Sequence, residues 1–432
     1  MKILAIETSC DETAVAILEC LGGLKNPCFK ILSNIVLSQI KIHKEFGGVV
    51  PNLARREHQK NLVPILTQCL NKGGILKSKI KNKKSKIQFK NQNLLNKKIQ
   101  KILERELELS ENLLNFFDKY EKPNIDLIAA TYGPGLEPAL WVGVNFVRAL
   151  SNAWQIPLIG INHLEGHIFS VFLKKNRGIS KSEFLISKQI QNQKIQISKK
   201  IKFPTLALIV SGGHTEIVLT EDWLEYKITG GTLDDAAGEA FDKAARILGL
   251  DYPGGPAISE EAKQWKSQKN RKTITATHKL KLPRPMINSN DFNFSFSGLK
   301  TAVLYLVNGL KKSGKWSEEL IPQIAYEFQE AVADVLVSKS IKATEKYSVK
   351  TFIFCGGVSA NYELRERLEK EIKERFKGKV NFLMPELEFS GDNAAMIAAA
   401  AYSNYLKQKD RMKPPKIAPF LKANGNLNFY SI

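Results

Sequence analysis

Cysteine is scarce and unpaired in this chain. There are five among 432 residues (Cys10, Cys20, Cys28, Cys69 and Cys355), an odd number without a C-x-x-C. That excludes a disulfide framework and a thiolate zinc site, so any metal must be held by histidine and carboxylate. Long apolar runs are also missing. With 43% hydrophobic and 25% charged residues, the composition is that of a globular protein, and no stretch approaches a membrane helix. The first residues, MKILAIETSC, are apolar only as far as Glu7, too short for a secretory signal. A cytoplasmic protein of two or three domains, with no membrane association, is expected.

Acidic residues are absent where basic ones crowd. Residues 72–101 hold eleven lysines and no acid, and residues 174–202 hold nine Lys or Arg against Glu183 alone. These two segments supply nearly all of the net charge of +21. Both are rich in Asn, Gln, Ser and Lys with irregularly spaced Ile, a composition that buries too little to hold a fold alone. They are expected to be solvated surface insertions; arms that attract a polyphosphate are the alternative.

Outside the insertions, three strand-and-turn units recur. In KILAIETSCDETAVAILE, strands at 2–8 and 13–19 flank a polar turn, Ser9 to Glu12. In TLALIVSGGHTEIVLT, strands at 205–210 and 215–220 flank Ser211, Gly212, Gly213 and His214. In TFIFCGGVSANYELRERLEKEI, a buried strand leads through Gly356 and Gly357 into a charged helix from about 360. Strands entering turns or helices through glycine present backbone N–H groups to anions. A fourth unit, DLIAATYGPGLEPALWVGVNFVRAL, joins a strand to an apolar helix, and further helices are expected at 234–248, at 319–345 and in SGDNAAMIAAAAYSNYL. The two polar-turn hairpins in different halves suggest a duplicated, two-lobed α/β protein with a nucleotide cleft.

Several residues could carry chemistry. NHLEGH places His163 and His167 at i and i+4 on one helix face, able to share a metal but equally readable as structural. In zinc proteases the Glu directly follows the first His; Glu165 sits two places on, about 200° round the helix, and fits a capping box with Asn162 instead. Asp392, before the Ala-rich helix, is of the right type for a third ligand or for a helix cap. SGGH could admit a phosphate or merely make a tight turn with positive φ. Asp235, Glu239 and Asp242 form a row that is either a solvated face or a ribose contact. Asp11 and Glu12 could act as a base or hold a metal-bound water, or only make their turn polar.

Taken together and in order, IETSCDETAVAI, SNIVLSQIKIHKEFGGVVPNLARREH, YGPGL, NHLEGH, LIVSGGHTEIV, DDAAGEAFDKAARILGLDYPGGP, PRPM, FSFSGLKTA, GGVSANYELRERL and GDNAAMIA resemble one family, the tRNA N6-adenosine threonylcarbamoyltransferases of the TsaD type. The motifs cover residues 1–70, 121–173 and 203–432, leaving out both basic segments. The resemblance implies a two-lobed actin-like α/β fold, the ASKHA type of Hsp70 and the sugar kinases. It implies lobes of residues 1–160 plus 390–432 and 161–389, with basic insertions at about 71–120 and 174–202.

The implied reaction moves a threonylcarbamoyl group from threonylcarbamoyl-adenylate to N6 of the adenosine 3′ to the anticodon, in tRNAs reading codons that begin with A. The implied metal, iron with zinc as the alternative, falls on His163, His167 and Asp392. The adenylate contacts fall on Ile209, Val210, Ser211, Gly212, Gly213, Asp242, Gly255 and Asn361. Asp11 or Glu12 would orient the amine or take its proton. Implied partners are tRNA, a paralogous actin-like subunit of the TsaB type and a small ATPase of the TsaE type. The chain departs from the family's common residues at Asn52 (Glu), Asn162 (His) and Gly391 (Thr), and in the EPALW segment. A non-catalytic scaffold and an ATP-dependent kinase or carbamoyltransferase of the same fold are the rival readings.

Overall fold

The computed structural model describes residues 1–79, 86–175, 201–270, 280–410, 416–417 and 420–429. The chain divides into two compact units: Met1–Gln39, Val50–Lys200 and Asp392–Ile432 form the first, Ile40–Val49 and Ile201–Gly391 the second. Each is built on a five-stranded mixed sheet. The first sheet contains β1 (Lys2–Glu7), β2 (Glu12–Leu21), β3 (Cys28–Ser38), β4 (Leu127–Gly133) and β5 (Leu158–Asn162), in the order β3-β2-β1-β4-β5. The second contains β6 (Thr205–Val210), β7 (Thr215–Thr220), β8 (Tyr226–Gly231), β9 (Thr351–Cys355) and β10 (Asn381–Leu383), in the order β10-β9-β6-β7-β8.

Within each unit the first three strands are antiparallel neighbours and the last two join parallel. The two sheets therefore share one strand order and one set of directions, the duplication expected of the actin-like α/β class. Both predicted hairpins are present, closing at Glu7↔Ala14 and Val210↔Thr215. Strands β1 and β6, central and covered on both faces, are almost wholly buried, which explains their unbroken apolar sequences.

Besides a single turn at Ile40–His43, the α-helices among the described residues are α1 (Pro51–Lys72), α2 (Lys86–Ile102), α3 (Leu107–Lys119), α4 (Glu137–Trp154), α5 (His163–Phe169), α6 (Ala237–Leu248), α7 (Gly254–Asn270), α8 (Ser297–Lys312), α9 (Ile321–Lys346), α10 (Tyr362–Phe376) and α11 (Ala394–Asp410). In the first unit Leu62, Leu66 and Leu70 of α1 and Phe146 and Leu150 of α4 pack on Leu4, Ile6, Val15 and Ile17. Helix α11 lies against all five strands; its fully buried run Ala398–Ala401 has no bulk to hold it off. In the second unit Leu206, Leu208, Phe352 and Phe354 meet α6 and α9, with Phe241 and Phe328 edge to face at 5.2 Å. Each such side chain contributes about 1.5–3 kcal/mol on burial.

Three boundaries differ from the sequence expectation. Ile40–Val49, expected in the first lobe, belongs to the second unit. Residues 161–175 belong to the first unit, because α5 packs against α11; a lobe boundary at 160 cuts that contact. Nor is 71–120 wholly an insertion. Ile99 and Leu103 and four residues of α3 (Leu109, Leu113, Phe116 and Phe117) are buried in the first unit's core, and Lys77 and Lys79 are hydrogen-bonded to Glu121 and Lys119. Ile99 and Leu103 stand one helical turn apart, an apolar stripe hidden by the surrounding lysines. The second basic segment lies outside the described residues from 176 to 200.

Candidate metal centre and nucleotide turn

The β1–β2 turn and the start of α5 build a site in the first unit. Strand β5 ends at Asn162, whose side-chain oxygen accepts from the backbone N–H of Leu164 at 2.9 Å and of Glu165 at 3.4 Å. That cap starts α5 and points His163 and His167 one way. Their rings meet edge to face with centroids 4.6 Å apart. Asp392 Oδ1 lies 3.5 Å from His163 Nε2 and 3.2 Å from His167 Nε2, and one donor atom from each of the three fits within 4.8 Å. Glu165 turns away and accepts from Asn404 Nδ2 at 2.9 Å, agreeing with its exclusion as a protease base.

Asp392 is not the helix cap. Asn393 does that work, accepting from Met396 N–H at 3.0 Å, and so Asp392 is left to face the imidazoles. Behind His163 stands Glu7, fully buried at the end of β1. Its carboxylate lies 3.2 Å from His163 Nδ1 and accepts from Ser9 N–H and the Thr131 hydroxyl. A carboxylate on the far nitrogen fixes the ring and presents Nε2 to a metal. Among the described residues Nε2 of buried His167, the nitrogen that faces Asp392, makes no hydrogen bond, as expected of a nitrogen kept for a ligand.

Burial disfavours the charged form of His163, but Asp392 and Glu7 outweigh it and raise its pKa to about 9. Burial, aided by the His163 charge, holds His167 below the usual value. Two imidazoles and one carboxylate are a donor set suited to a divalent metal ion.

Asp11 and Glu12 sit on the same turn. Asp11 is buried with Oδ2 lacking a hydrogen bond. Glu12 accepts from Ser38 Oγ at 3.1 Å, and burial, with the charges of Asp11 and Asp392, pushes its carboxyl well above the usual range. Fully buried His58 of α1 fastens the turn: Nε2 lies 3.0 Å from the Cys10 carbonyl and Nδ1 2.8 Å from Thr13 Oγ1. The second glycine of YGPGL closes it from the other side. At φ 152° Gly135 lies so near Ser9 that a Cβ would stand 2.6 Å from the Ser9 carbonyl oxygen, and Leu136 N–H donates to that oxygen at 2.7 Å.

The residues expected to contact the adenylate lie in the second unit. Ser211 N–H donates to the His214 carbonyl at 2.8 Å, while Gly212 and Gly213 have no positive φ and open space where a Cβ would stand. The turn therefore does not need glycine for its own conformation, which removes the tight-turn explanation and leaves room for a close ligand. The side chains of Ile209 and Val210 are fully buried, so only their backbone can contribute. Asp242 accepts from Gly254 N–H at 2.7 Å, and Gly255 beside it is open. Asn361 caps α10 through Leu364 N–H, and its amide reaches Ser259 Oγ at 2.9 Å and Gln329 Oε1 at 3.0 Å. Lys243 bridges Asp235 and Glu239, making that row an ion-paired face.

Sequence reasoning missed Glu7, His58 and Asn393. An acid ending an otherwise apolar strand was the one available signal for Glu7. All five thiols are pushed up, chiefly by burial, so none is a thiolate nucleophile.

Two α/β units of the same strand order, one with a glycine-lined turn and the other with a His-His-Asp cluster able to hold a metal ion, have the duplicated architecture of the actin-like class. The family model described as "TsaD: tRNA N6-adenosine threonylcarbamoyltransferase" matches residues 30–82, 101–182 and 186–399. Proteins named tRNA N6-adenosine threonylcarbamoyltransferase are similar along nearly the whole chain. That of Thermosipho africanus (strain TCF52B) is 41% identical over 94% of this chain and 95% of its own. That of Dictyoglomus turgidum (strain DSM 6724 / Z-1310) is 42% identical, covering 94% of each, and that of Bacillus subtilis (strain 168) is 38% identical over 93% and 89%. The chain belongs to the tRNA N6-adenosine threonylcarbamoyltransferase family and is an acyltransferase that modifies tRNA. Among the described residues no helix is long and apolar enough to cross a membrane.

Proposed function

We propose that the chain transfers threonylcarbamoyl from threonylcarbamoyl-adenylate to N6 of the adenosine 3′ to the anticodon, in tRNAs that read codons beginning with A. The observation that carries this is the convergence of His163, His167 and Asp392 on one point, with Glu7 bracing His163 from behind, in a chain of this family. A scaffold that had lost catalysis has no use for such a centre.

The donor is a mixed carbamic–phosphoric anhydride and is already activated. The protein must therefore hold it, orient the amine and exclude water. The adenine amine attacks the carbamoyl carbon, the bond from that carbon to the phosphate oxygen breaks, and AMP leaves with the bonding electrons. Asp11 or Glu12 takes the amine's proton. His163, His167 and Asp392 would hold Fe2+, with Zn2+ the alternative; when bound, the ion supplies Lewis-acid polarisation of a phosphate or carbonyl oxygen. Ser211, Gly212 and Gly213 would cradle the phosphate, with the Ile209 and Val210 backbone, Asp242, Gly255 and Asn361 around the nucleoside.

The chain would work in the cytoplasm with a paralogous actin-like subunit and a small ATPase. His167→Ala tests the centre. It should lose bound metal by elemental analysis and lose transfer, while adenylate affinity, which belongs to the second unit, stays. Full transfer by a metal-free preparation would refute the assignment.

A further inference from the structure

The first two turns of α1 carry a surface that neither the metal centre nor the adenylate contacts use. Asn52, Arg55, Arg56 and Gln59 stand at i, i+3, i+4 and i+7 and line a concavity of about 380 Å³, every lining residue polar. The spacing makes one helical stripe, about 110° round from the buried stripe of Ala54, His58 and Leu62 at 100° per residue. Its charge is largely unspent. Arg55 donates to the Arg105 carbonyl at 3.0 Å but reaches buried Glu106 only at 3.9 Å. Arg56 is exposed, and among the described residues neither its side chain nor that of Asn52 or Gln59 has a hydrogen-bond or ion-pair partner. The first turn of the helix holds no acid, and Glu57, off the stripe, accepts from Asn61.

Two guanidinium forks flanked by two amides match a phosphodiester. The forks pair with phosphate oxygens, and Asn or Gln reaches phosphate or sugar. We propose that this concavity seats the sugar–phosphate backbone of the tRNA, an inference that rests on the tRNA-modifying function above. The placement suits the task. On the adjacent stripe of the same two turns His58 grips the Cys10–Thr13 turn, so RNA seated on Arg55 and Arg56 is registered against Asp11 by one rigid helix.

The test uses the full, metal-loaded chain and a labelled tRNA that reads an A-initial codon, with anisotropy followed across a salt series. Variants Arg56→Ala and Gln59→Glu are compared with Lys373→Ala, an exposed charge on α10, and thermal melting confirms that all are folded. Arg56→Ala should weaken tRNA binding about fivefold or more near 0.1 M salt and flatten the log–log salt slope by about 0.7–0.9, the share of one phosphate contact. Gln59→Glu should weaken binding as well, and Lys373→Ala should change neither quantity. Wild-type affinity and slope in Arg56→Ala would overturn the proposal. So would an equal loss in Lys373→Ala, which would reduce the effect to bulk charge. A loss of inorganic phosphate binding with tRNA binding intact would make this a free-anion site and overturn it too. If the unaltered chain bound no tRNA, the functional assignment itself would fall with it.

Discussion

Glu7 is a carboxylate at the end of a buried strand, where an unpaired charge would be costly. Three donors use it: the Ser9 amide, the Thr131 hydroxyl and the His163 ring. The consequence is measurable through protons. In the metal-free protein His163, raised to about 9, is charged at neutral pH, whereas a metal needs it neutral. Metal loading at pH 7 should therefore release close to one proton, and affinity should rise with pH until about 9. Calorimetry in buffers of different ionisation enthalpy reads this directly; proton-neutral loading would contradict it. The sign for stability runs the other way without metal. A folded pKa above the ordinary 6.5 contributes stability that is full below about 6.5 and is lost as pH rises through about 9.

Two substitutions separate holding the turn from holding the ligand. His58→Ala leaves the Cys10 carbonyl and the Thr13 hydroxyl without their partner, a loss of about 1–3 kcal/mol each. It should lower kcat at least tenfold with adenylate affinity unchanged, and His58→Gln, which can still donate and accept, should recover part of the rate; no recovery would leave His58 a packing residue only. A Cβ at Gly212 has no neighbour within 4 Å, so the melting temperature of Gly212→Val should stay within a few degrees while adenylate binding is lost. Unchanged adenylate affinity by calorimetry would refute that contact.

The two imidazoles were legible as a pair because helical spacing puts i and i+4 together. Asp392 became legible only through the family resemblance, since its place before a helix equally fits a cap until Asn393 is seen in that role. His58 and Glu7 were not legible, because their partners are up to 156 residues away.

At the scale of elements, the hairpins were the clearest part of the sequence. Strands at 205–210 and 215–220 fall where the apolar runs and the intervening SGGH place them. The basic segment at 72–101 was read by composition, and composition hid its apolar stripe. Ile99 is fully buried, and Lys77 and Lys79 are tied to residues 119–121. Deleting 72–101 should therefore destabilise the first unit rather than merely shorten a loop. Ile99→Ala alone should cost about 2–5 kcal/mol, read as a lowered denaturation midpoint. A midpoint equal to that of the unaltered chain would restore the loop interpretation.

Over the whole molecule, duplication organises what the chain can do. Two sheets of identical order each end a central hairpin in a polar turn; one turn lies beside the His-His-Asp cluster and the other carries open glycines. The sequence repeats this design without repeating its residues, so the duplication was visible as pattern, whereas the lobe boundary near 160 failed because α5 joins α11 across more than two hundred residues of chain. The most direct measurement of the central claim is mass spectrometry of tRNA nucleosides after incubation of the full chain, its metal and the bacterial accessory proteins with threonylcarbamoyl-adenylate. The expected result is N6-threonylcarbamoyladenosine at the adenosine 3′ to the anticodon, formed with the unaltered chain and absent with His167→Ala. Equal product from both chains would contradict the role assigned to the centre, and no product from the unaltered chain would contradict the transfer itself.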